Sequence, residues 1–127
     1  MYDPHLLGPE GERLAADYLA KQGYRILERN YRYHRNEIDL IARHRHTLCF
    51  IEVKTRLSSA KGHPAEAVTL QKQREIIKAA RAYLALSGDE EPECRFDVVA
   101  VLVKRMEENR IASFAIEHFI DAFWASS

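Results

Sequence analysis

Two helix-like segments and five strand-like runs alternate along the chain in an order that few folds can accommodate. The spacing of apolar side chains predicts helices over residues 9–22 and 70–86, with Gly23 and Gly88 as their C-terminal ends. Apolar runs rich in β-branched residues predict strands at residues 24–31, 38–42, 47–53, 96–103 and 111–116. A short third helix is expected at residues 119–124.

The connections between these elements restrict the sheet to a mixed arrangement. Residues 43–46 suit a hairpin loop, so the flanking strands should pair antiparallel. The strand–helix–strand unit over residues 47–103 requires a right-handed crossover and makes a parallel pair. The remaining connections are expected to be loops or turns, at residues 32–36, 56–68, 89–93 and 107–109. The predicted fold class is therefore α/β, a sandwich around a mixed five-stranded sheet, in a single domain over residues 1–127.

The charge is balanced overall but unevenly distributed along the chain. Residues 21–56 contain nine basic and four acidic side chains, a net charge of +5, although the whole chain has a net charge of zero. Residues 87–121 contain four basic and nine acidic side chains, a net charge of −5. This asymmetry is compatible with one basic, phosphate-binding face. A mixed surface with charges placed for solubility explains the same distribution equally well.

The sequence also bears on the location of the protein. Its first residues lack a basic segment followed by an apolar one, so no secretory signal is apparent. No apolar run approaches the length that spans a membrane. The two cysteines, Cys49 and Cys94, are too few for a disulfide framework. A cytoplasmic protein without membrane association is expected.

Two neighbouring strands of the predicted sheet carry charged residues in apolar surroundings, Asp39 in one and Glu52 and Lys54 in the next. Because side chains alternate along a strand, these three residues are expected on one face of the sheet. The opposite face should carry their apolar neighbours Ile38, Leu40, Ile51 and Val53. The sequence therefore predicts a cluster of charge where these two strands meet.

The pairing register of these strands decides whether the acids meet. If Ala42 pairs with Thr47, Asp39 lies opposite Phe50 and diagonal to Glu52. Diagonal neighbours are about 7–8 Å apart, close enough for two carboxylates to share a cation. A slip by one residue would send the two acids to opposite faces.

A pair of acids in this position indicates a metal site, because buried carboxylates are costly unless they are paired or bound to metal. Carboxylate oxygens suit Mg²⁺ or Mn²⁺, so Asp39 and Glu52 are the expected ligands. Lys54 would orient an attacking water and stabilise charge on a phosphodiester. The alternative is that these residues are ordinary strand-end charges, since short acid-x-Lys patterns are common by chance.

Further candidates lie on the helices and loops. Glu12 shares a core-facing helical stripe with Ala16 and Leu19, which makes it a candidate active-site acid or, alternatively, a partner of the helix dipole. Basic and polar side chains near the two strands are predicted to bind nucleic acid: Arg32, Arg35, Arg43, Arg56, Lys72 and Gln73. For any one of these residues, a solvated surface position is an equally good explanation.

At these residues the chain resembles the YraN-like family of small bacterial proteins, which is grouped with endonucleases of the PD-(D/E)xK type. The matching strings span nearly the whole chain in the family's order: Gly11-Glu12, Gly23-Tyr24-Arg25-Ile26-Leu27, Asn30-Tyr31-Arg32, Glu37-Ile38-Asp39-Leu40-Ile41-Ala42, Phe50-Ile51-Glu52-Val53-Lys54-Thr55-Arg56, Pro64-Ala65-Glu66-Ala67-Val68-Thr69, Lys72-Gln73 and Arg95-Phe96-Asp97-Val98-Val99-Ala100-Val101. The resemblance implies a restriction-endonuclease-like α/β/α sandwich. It also implies a metal-dependent endonuclease acting on DNA, with branched or damaged DNA as a candidate substrate.

The chain is also similar to archaeal Holliday-junction resolvases, which place a helix Glu, a strand Asp and a Glu-x-Lys in this order. Carried over residue by residue, these positions are Glu12, Asp39, Glu52 and Lys54. The same resemblance implies that the backbone carbonyl of Val53 is a metal ligand. Resolvase-like activity would need two sites and therefore a homodimer.

Two positions depart from the pattern. Asn36 stands where the family has glycine, and it is expected to keep the turn because Asn tolerates left-handed backbone angles. Ile38 stands in place of the proline that names the nuclease motif. Fold does not dictate function, so a non-catalytic module that binds nucleic acid or protein is the alternative to an enzyme. The sequence is compatible with either DNA or RNA.

Overall fold

The computed structural model describes residues 4–57, 68–88 and 92–124. Two helices and five strands follow the predicted order: α1 (Pro4–Lys21), β1 (Arg25–Tyr33), β2 (Asn36–His44), β3 (Thr47–Leu57), α2 (Leu70–Ser87), β4 (Glu93–Glu107) and β5 (Arg110–Phe123). The loop predicted over residues 56–68 and the connector over 89–93 lie largely outside the described residues, and Arg56 belongs to β3. Among the described helices, none is both apolar and long enough to cross a membrane.

The strands form one mixed sheet in the order β1-β2-β3-β4-β5, which confirms the predicted fold class. β3 and β4 are parallel, while the other neighbouring pairs are antiparallel. On one face, Ala16 and Leu19 of α1 pack with Ile51 of β3. On the other face, Ile76 of α2 packs with Phe50. Helices thus cover the central strands β3 and β4 on both faces. Their nearly continuous apolar sequences are typical of strands buried in this way.

Both helices end where the sequence predicts, but α1 begins at Pro4, before the predicted start at residue 9. The Thr69 hydroxyl caps α2 by accepting a hydrogen bond from the Lys72 amide at 3.1 Å. Gly88 ends α2 in the left-handed conformation, with φ of 76°. Gly23 follows α1 with φ of 92°, which only glycine adopts without strain. These caps fix the helix positions over the sheet.

The hairpins are tighter than predicted. In the β1–β2 turn, only two residues lie between the paired Tyr33 and Asn36. In the β2–β3 turn, only two residues lie between the paired His44 and Thr47. Asn36 therefore begins β2 rather than occupying a left-handed turn position, which His34 takes instead with φ of 57°. A left-handed residue at the start of a two-residue turn matches the twist of the paired strands.

The helix predicted at residues 119–124 is wrong, because β5 continues to Phe123. Phe119 and Phe123 both pack into the apolar cluster under α2, and their spacing of four resembles that of a helix. Residues four apart also share a face of a strand, because side chains alternate with a period of two. The register is irregular near Phe96, and Asp121 between the two phenylalanines is left-handed, with φ of 58°. Pairing along β4 therefore overrides the local helical pattern.

A buried carboxylate joins β4 to β5. Arg95 donates two hydrogen bonds to the oxygens of Asp97, both at 2.9 Å, and His118 Nε2 lies 2.8 Å from Asp97 Oδ2. The Asp121 amide donates a further bond to Asp97 Oδ1 at 2.9 Å. Burial by itself would raise the pKa of Asp97, but these donors hold that pKa below its ordinary value. Asp97 is therefore an ionised, fully partnered structural anchor.

Gly11 allows α1 to approach β3 closely. A Cβ added at Gly11 would lie 1.8 Å from the Thr55 hydroxyl oxygen and within 3.0 Å of both Thr55 side-chain carbons. Rotation of the Thr55 side chain cannot relieve all three contacts, so any larger residue must displace the helix. This contact sets the distance between α1 and the sheet at the next residue, Glu12.

Replacing Gly11 by alanine is expected to lower the free energy of unfolding by about 2 kcal/mol, the usual cost of overpacking. Gly8→Ala is the matched control, because a Cβ there meets no atom within 4 Å and alanine favours the helix. Urea denaturation at pH 7 measures both. A second change, Thr55→Ala, removes the hydroxyl and the methyl group but keeps the Cβ at 2.8 Å, so it should recover part of the loss. Equal stability of the Gly11 and Gly8 variants would contradict the close contact.

Candidate active site

The pairing between β2 and β3 ends inside the sheet and leaves an opening. The last registered pair is Leu40–Ile51, and beyond it β2 pairs only with β1 and β3 only with β4 among the described residues. At the point of divergence, the Val53 amide donates a hydrogen bond of 2.8 Å to Asp39 Oδ2. The carboxylate of Asp39 thus takes the place that a backbone carbonyl would occupy in a continued ladder.

The register differs from the predicted one by two residues. Leu40 pairs with Ile51, so the register directs Asp39 toward Glu52 rather than Phe50 where the ladder ends, and the two carboxyl groups interact. A shift by two residues preserves the side-chain faces, whereas a shift by one would reverse them. The two acids therefore meet more directly than predicted.

The predicted assignment of faces is wrong at Ile38. Ile38 packs in the cluster under α2, while Leu40 packs in the cluster under α1, so regular alternation breaks at the residue between them, Asp39. The break lies across from Asn30 of β1, which has a left-handed φ of 53°. This irregularity lets Asp39 interact with Glu12 from the α1 side and with Glu52 from the α2 side.

Glu52 is the most deeply buried acid of the site, with 5% of its surface exposed. Its Oε2 atom has no hydrogen-bond partner, and Lys72 Nζ lies 3.8 Å away. Burial raises the pKa of Glu52 to about 9, and the neighbouring Asp39 carboxyl contributes to the rise. The positive charges of Lys72 and Lys54 act in the opposite direction but do not outweigh burial. Without a cation, burial and the neighbouring Asp39 carboxyl therefore favour the protonated form of Glu52.

Glu12 completes the acidic group from above the sheet. It lies on the same stripe of α1 as the buried Ala16 and Leu19, as predicted. Partial burial raises the pKa of Glu12 to about 7, and the negative charges of Asp39 and Glu37 add to the effect. Glu12 can therefore exchange a proton with a neighbouring group near neutral pH.

The donor set fits a hard divalent cation. A buried carboxylate oxygen without a donor, Glu52 Oε2, is the kind of atom that a cation would neutralise. The Val53 carbonyl lies on the same strand edge as its amide, which faces Asp39. Within residues 4–57, 68–88 and 92–124, no three His, Cys, Asp or Glu side chains could enclose a metal by themselves. Asp39, Glu52 and the Val53 carbonyl, completed by water, match the sparse protein ligation typical of Mg²⁺.

Most of the predicted substrate-binding residues lie at the same end of the sheet as the acids. Arg35 lies in the β1–β2 turn, and Arg56 follows Lys54 along β3. The exposed Arg32 faces Glu37 across the strands, with a side-chain distance of 3.8 Å. Arg43 is the exception, because it lies near the opposite hairpin, roughly 13 Å from Asp39 along β2.

The two candidates on α2 have specific partners. Lys72 faces Glu52, so it belongs to the acidic site as much as to a substrate surface. Gln73 donates a hydrogen bond of 3.1 Å from its side-chain amide to the Val68 carbonyl. Its side chain thus holds the residue that precedes the cap of α2 rather than reaching the acids.

Asn30 is a site residue that the sequence interpretation did not single out. With its amide nitrogen oriented toward the acids, it donates to Glu12 Oε2 and to Glu37 Oε1, both at 2.9 Å. Position in the sequence gives no hint of this contact, because Asn30 lies in the outermost strand. A left-handed asparagine within a strand is the one signal that backbone geometry offers.

Together, these elements define an α/β protein with a cluster of carboxylates and lysine where two central strands diverge. The chain belongs to the uncharacterised protein family UPF0102, whose model matches residues 11–101. The matched range includes Glu12, Asp39, Glu52 and Lys54. The family assignment agrees with the resemblance to YraN-like proteins.

Individual relatives cover almost the whole chain. A UPF0102 protein of Chlorobium limicola is 66% identical over 123 residues, which are 97% of this chain and 95% of the relative. A UPF0102 protein of Chlorobaculum tepidum is 57% identical over the same length, 97% of this chain and 95% of the relative. A UPF0102 protein of Chloroherpeton thalassium is 48% identical over 102 residues, 80% of this chain and 79% of the relative.

Proposed function

We propose that this protein is a Mg²⁺- or Mn²⁺-dependent endonuclease that hydrolyses phosphodiester bonds in DNA, on a restriction-endonuclease-like fold. One observation carries the proposal: Asp39 and Glu52 meet where β2 and β3 diverge, and a buried Glu52 oxygen there has no hydrogen-bond partner. A carboxylate buried in this way destabilises the fold unless a ligand compensates. A divalent cation is the simplest ligand that does so.

Each residue of the cluster has a distinct role in the proposed reaction. Asp39, Glu52 and the Val53 carbonyl hold the cation, and the Val53 amide keeps the Asp39 carboxylate oriented. When bound, a divalent cation supplies Lewis-acid polarisation of the scissile phosphodiester. Lys54 contacts a non-bridging phosphate oxygen and stabilises the charge that develops on it.

Proton transfer is assigned to Glu12. In the metal-free protein, partial burial and the neighbouring acids raise the pKa of Glu12 to about 7, which suits a group that accepts the proton of the attacking water near neutral pH. The water oxygen bonds to phosphorus while the bond from phosphorus to the leaving oxygen breaks, and the leaving oxygen takes a proton from solvent water. Lys72, close to Glu52, lies where it can contact a phosphate once a cation neutralises that carboxylate.

The substrate surface lies beside the acids. Arg32, Arg35 and Arg56 surround this end of the sheet and suit contacts to phosphates on either side of the cleaved bond. Branched or damaged DNA remains the proposed substrate class, on the similarity to resolvases. A second copy of the chain would then supply the second cleavage.

A cleavage screen with Mn²⁺ tests the proposal on linear, flapped and four-way-junction DNA. Whichever substrate is cut, Lys54→Ala is expected to slow cleavage at least about 100-fold, because a group that stabilises transition-state charge is lost. Lys78→Ala, which removes an exposed lysine from α2, is the matched control and should retain activity. DNA binding in a gel-shift assay should change little in the Lys54 variant. Absence of cleavage of every substrate, or full activity of Lys54→Ala, would contradict the nuclease proposal and favour a binding module.

A further inference from the structure

Asn30 joins two acids that would otherwise repel each other. One side-chain amide donates to Glu12 Oε2 and to Glu37 Oε1, each at 2.9 Å. Glu12 comes from α1 and Glu37 from β2, so Asn30 of β1 links three separate elements at a single point. An amide has two N–H donors and can therefore serve one oxygen of each carboxylate.

The backbone at Asn30 is adapted to this contact. Its φ of 53° is uncommon for a residue other than glycine, and asparagine is among the residues that tolerate it best. Asn30 lies across from Asp39, between the registered pairs Arg29–Leu40 and Tyr31–Ile38. Asn30 therefore has two features at one place in the sheet. Its backbone lies across from the irregularity at Asp39, and its side chain holds Glu12.

A neutral donor is also the appropriate one for a cation site. A lysine or arginine in this place would offset the negative charge of the carboxylates and compete with a metal ion. Asparagine orients the oxygens without removing their charge. Hydrogen bonds of this kind commonly fix the orientation of groups around a metal ligand.

We infer that Asn30 is a positioning residue, which holds Glu12 beside Asp39 so that the acids present a formed site to a divalent cation. The inference rests on the proposed function, because the cation is part of it. Asn30 acts through Glu12 and does not itself contact the cation. Glu12 is not one of the proposed ligands, but its negative charge beside Asp39 attracts a cation. Loss of Asn30 should therefore weaken cation binding in a manner that depends on the presence of Glu12.

Calorimetric titration of the protein with Mn²⁺ in the absence of DNA tests this role. Asn30→Gly removes the amide but keeps the left-handed backbone accessible, and it is expected to raise the Kd for Mn²⁺ about tenfold or more. Arg45→Gly is the matched control, because Arg45 has a similar φ of 58° in the β2–β3 turn. The control should bind Mn²⁺ as the parent does. Urea denaturation verifies that both variants are folded.

The background variant Glu12→Gln separates a positioning role from a general weakening of the fold. In that background, Asn30→Gly should cause no further loss of Mn²⁺ affinity. In cleavage assays, Asn30→Gly should lower kcat while leaving KM for DNA within about twofold of the parent. A parent protein that does not bind Mn²⁺ would contradict the proposed function and this role together. A parent that binds Mn²⁺ and an Asn30→Gly variant of equal affinity, or an equal loss in both backgrounds, would contradict the role of Asn30 alone.

Discussion

Glu52→Gln is expected to lower the cleavage rate at least about 1000-fold and to make the metal-free protein more stable at alkaline pH. The loss of activity follows from the loss of a charged ligand in the proposed cation site. The gain in stability follows because glutamine has nearly the same shape and no charge to bury. An essential residue whose neutral replacement stabilises the fold is typical of a functional site.

The sign of the pH dependence follows from the pKa of Glu52, which is raised from 4.5 to about 9 on folding. Below pH 4.5 the carboxyl is protonated in both the folded and unfolded states and has no effect. Between pH 4.5 and 9 the unfolded chain releases the proton while the folded protein retains it, so stability falls as pH rises. The slope from one such group is at most about 1.4 kcal/mol per pH unit.

Chemical denaturation in the presence of a chelator, at pH 5, 7 and 9, measures this difference. The parent should lose stability over the range, and the Glu52→Gln variant should lose distinctly less. Glu12, with its pKa raised to about 7, keeps part of the slope in both proteins. Glu28→Gln on β1 is the control for the same chemical change at an exposed position. Parallel pH curves for the parent and Glu52→Gln would show that Glu52 does not retain its proton.

Asp97→Ala is expected to lower the free energy of unfolding by about 3–5 kcal/mol, which is the cost of breaking a buried ion pair from one side. The change removes the carboxylate that accepts from Arg95 Nε and Nη2 and leaves the guanidinium without its counter-charge, although the Tyr24 hydroxyl still accepts from Nη2 at 2.7 Å. It also removes the contact to His118 and the acceptor for the Asp121 amide, which shape β5.

Urea denaturation at pH 7 measures the loss, with Asp17→Ala as the control. Asp17 forms an ion pair with Lys21 at 3.1 Å, but both side chains are largely exposed. Such a pair contributes at most about 1 kcal/mol, so the control should remain close to the parent. A loss below about 1 kcal/mol for Asp97→Ala would contradict the role of Asp97 as an anchor between β4 and β5.

The sequence predicts the helices and the mixed sheet because the governing signals are local. Gly23 and Gly88 mark the C-terminal ends of the helices by their own chemistry. The exact turns are harder to predict, since His34 and Arg45 adopt left-handed angles that asparagine or glycine would normally signal. The strand that replaces the predicted third helix depends on pairing with β4, which no local pattern reveals.

The candidate site also has features that the sequence predicts and features that it does not. Asp39, Glu52 and Lys54 are accessible to sequence reasoning because charged residues in apolar strands stand out. Their approach to one another is also predictable, since a register shift by two residues preserves the faces. The contacts of Asn30 and Lys72 with these acids cannot be predicted from the sequence. They depend on a strand irregularity and on how α2 lies over the sheet.

The central claim is that Asp39 and Glu52 together bind a divalent cation at the divergence of β2 and β3. An anomalous difference map from a crystal soaked in Mn²⁺ tests it most directly. We expect a peak about 2.1 Å from a carboxylate oxygen of each residue, the distance typical of small hard cations. A well-ordered site without such a peak, or a peak bound elsewhere on the molecule, would contradict it.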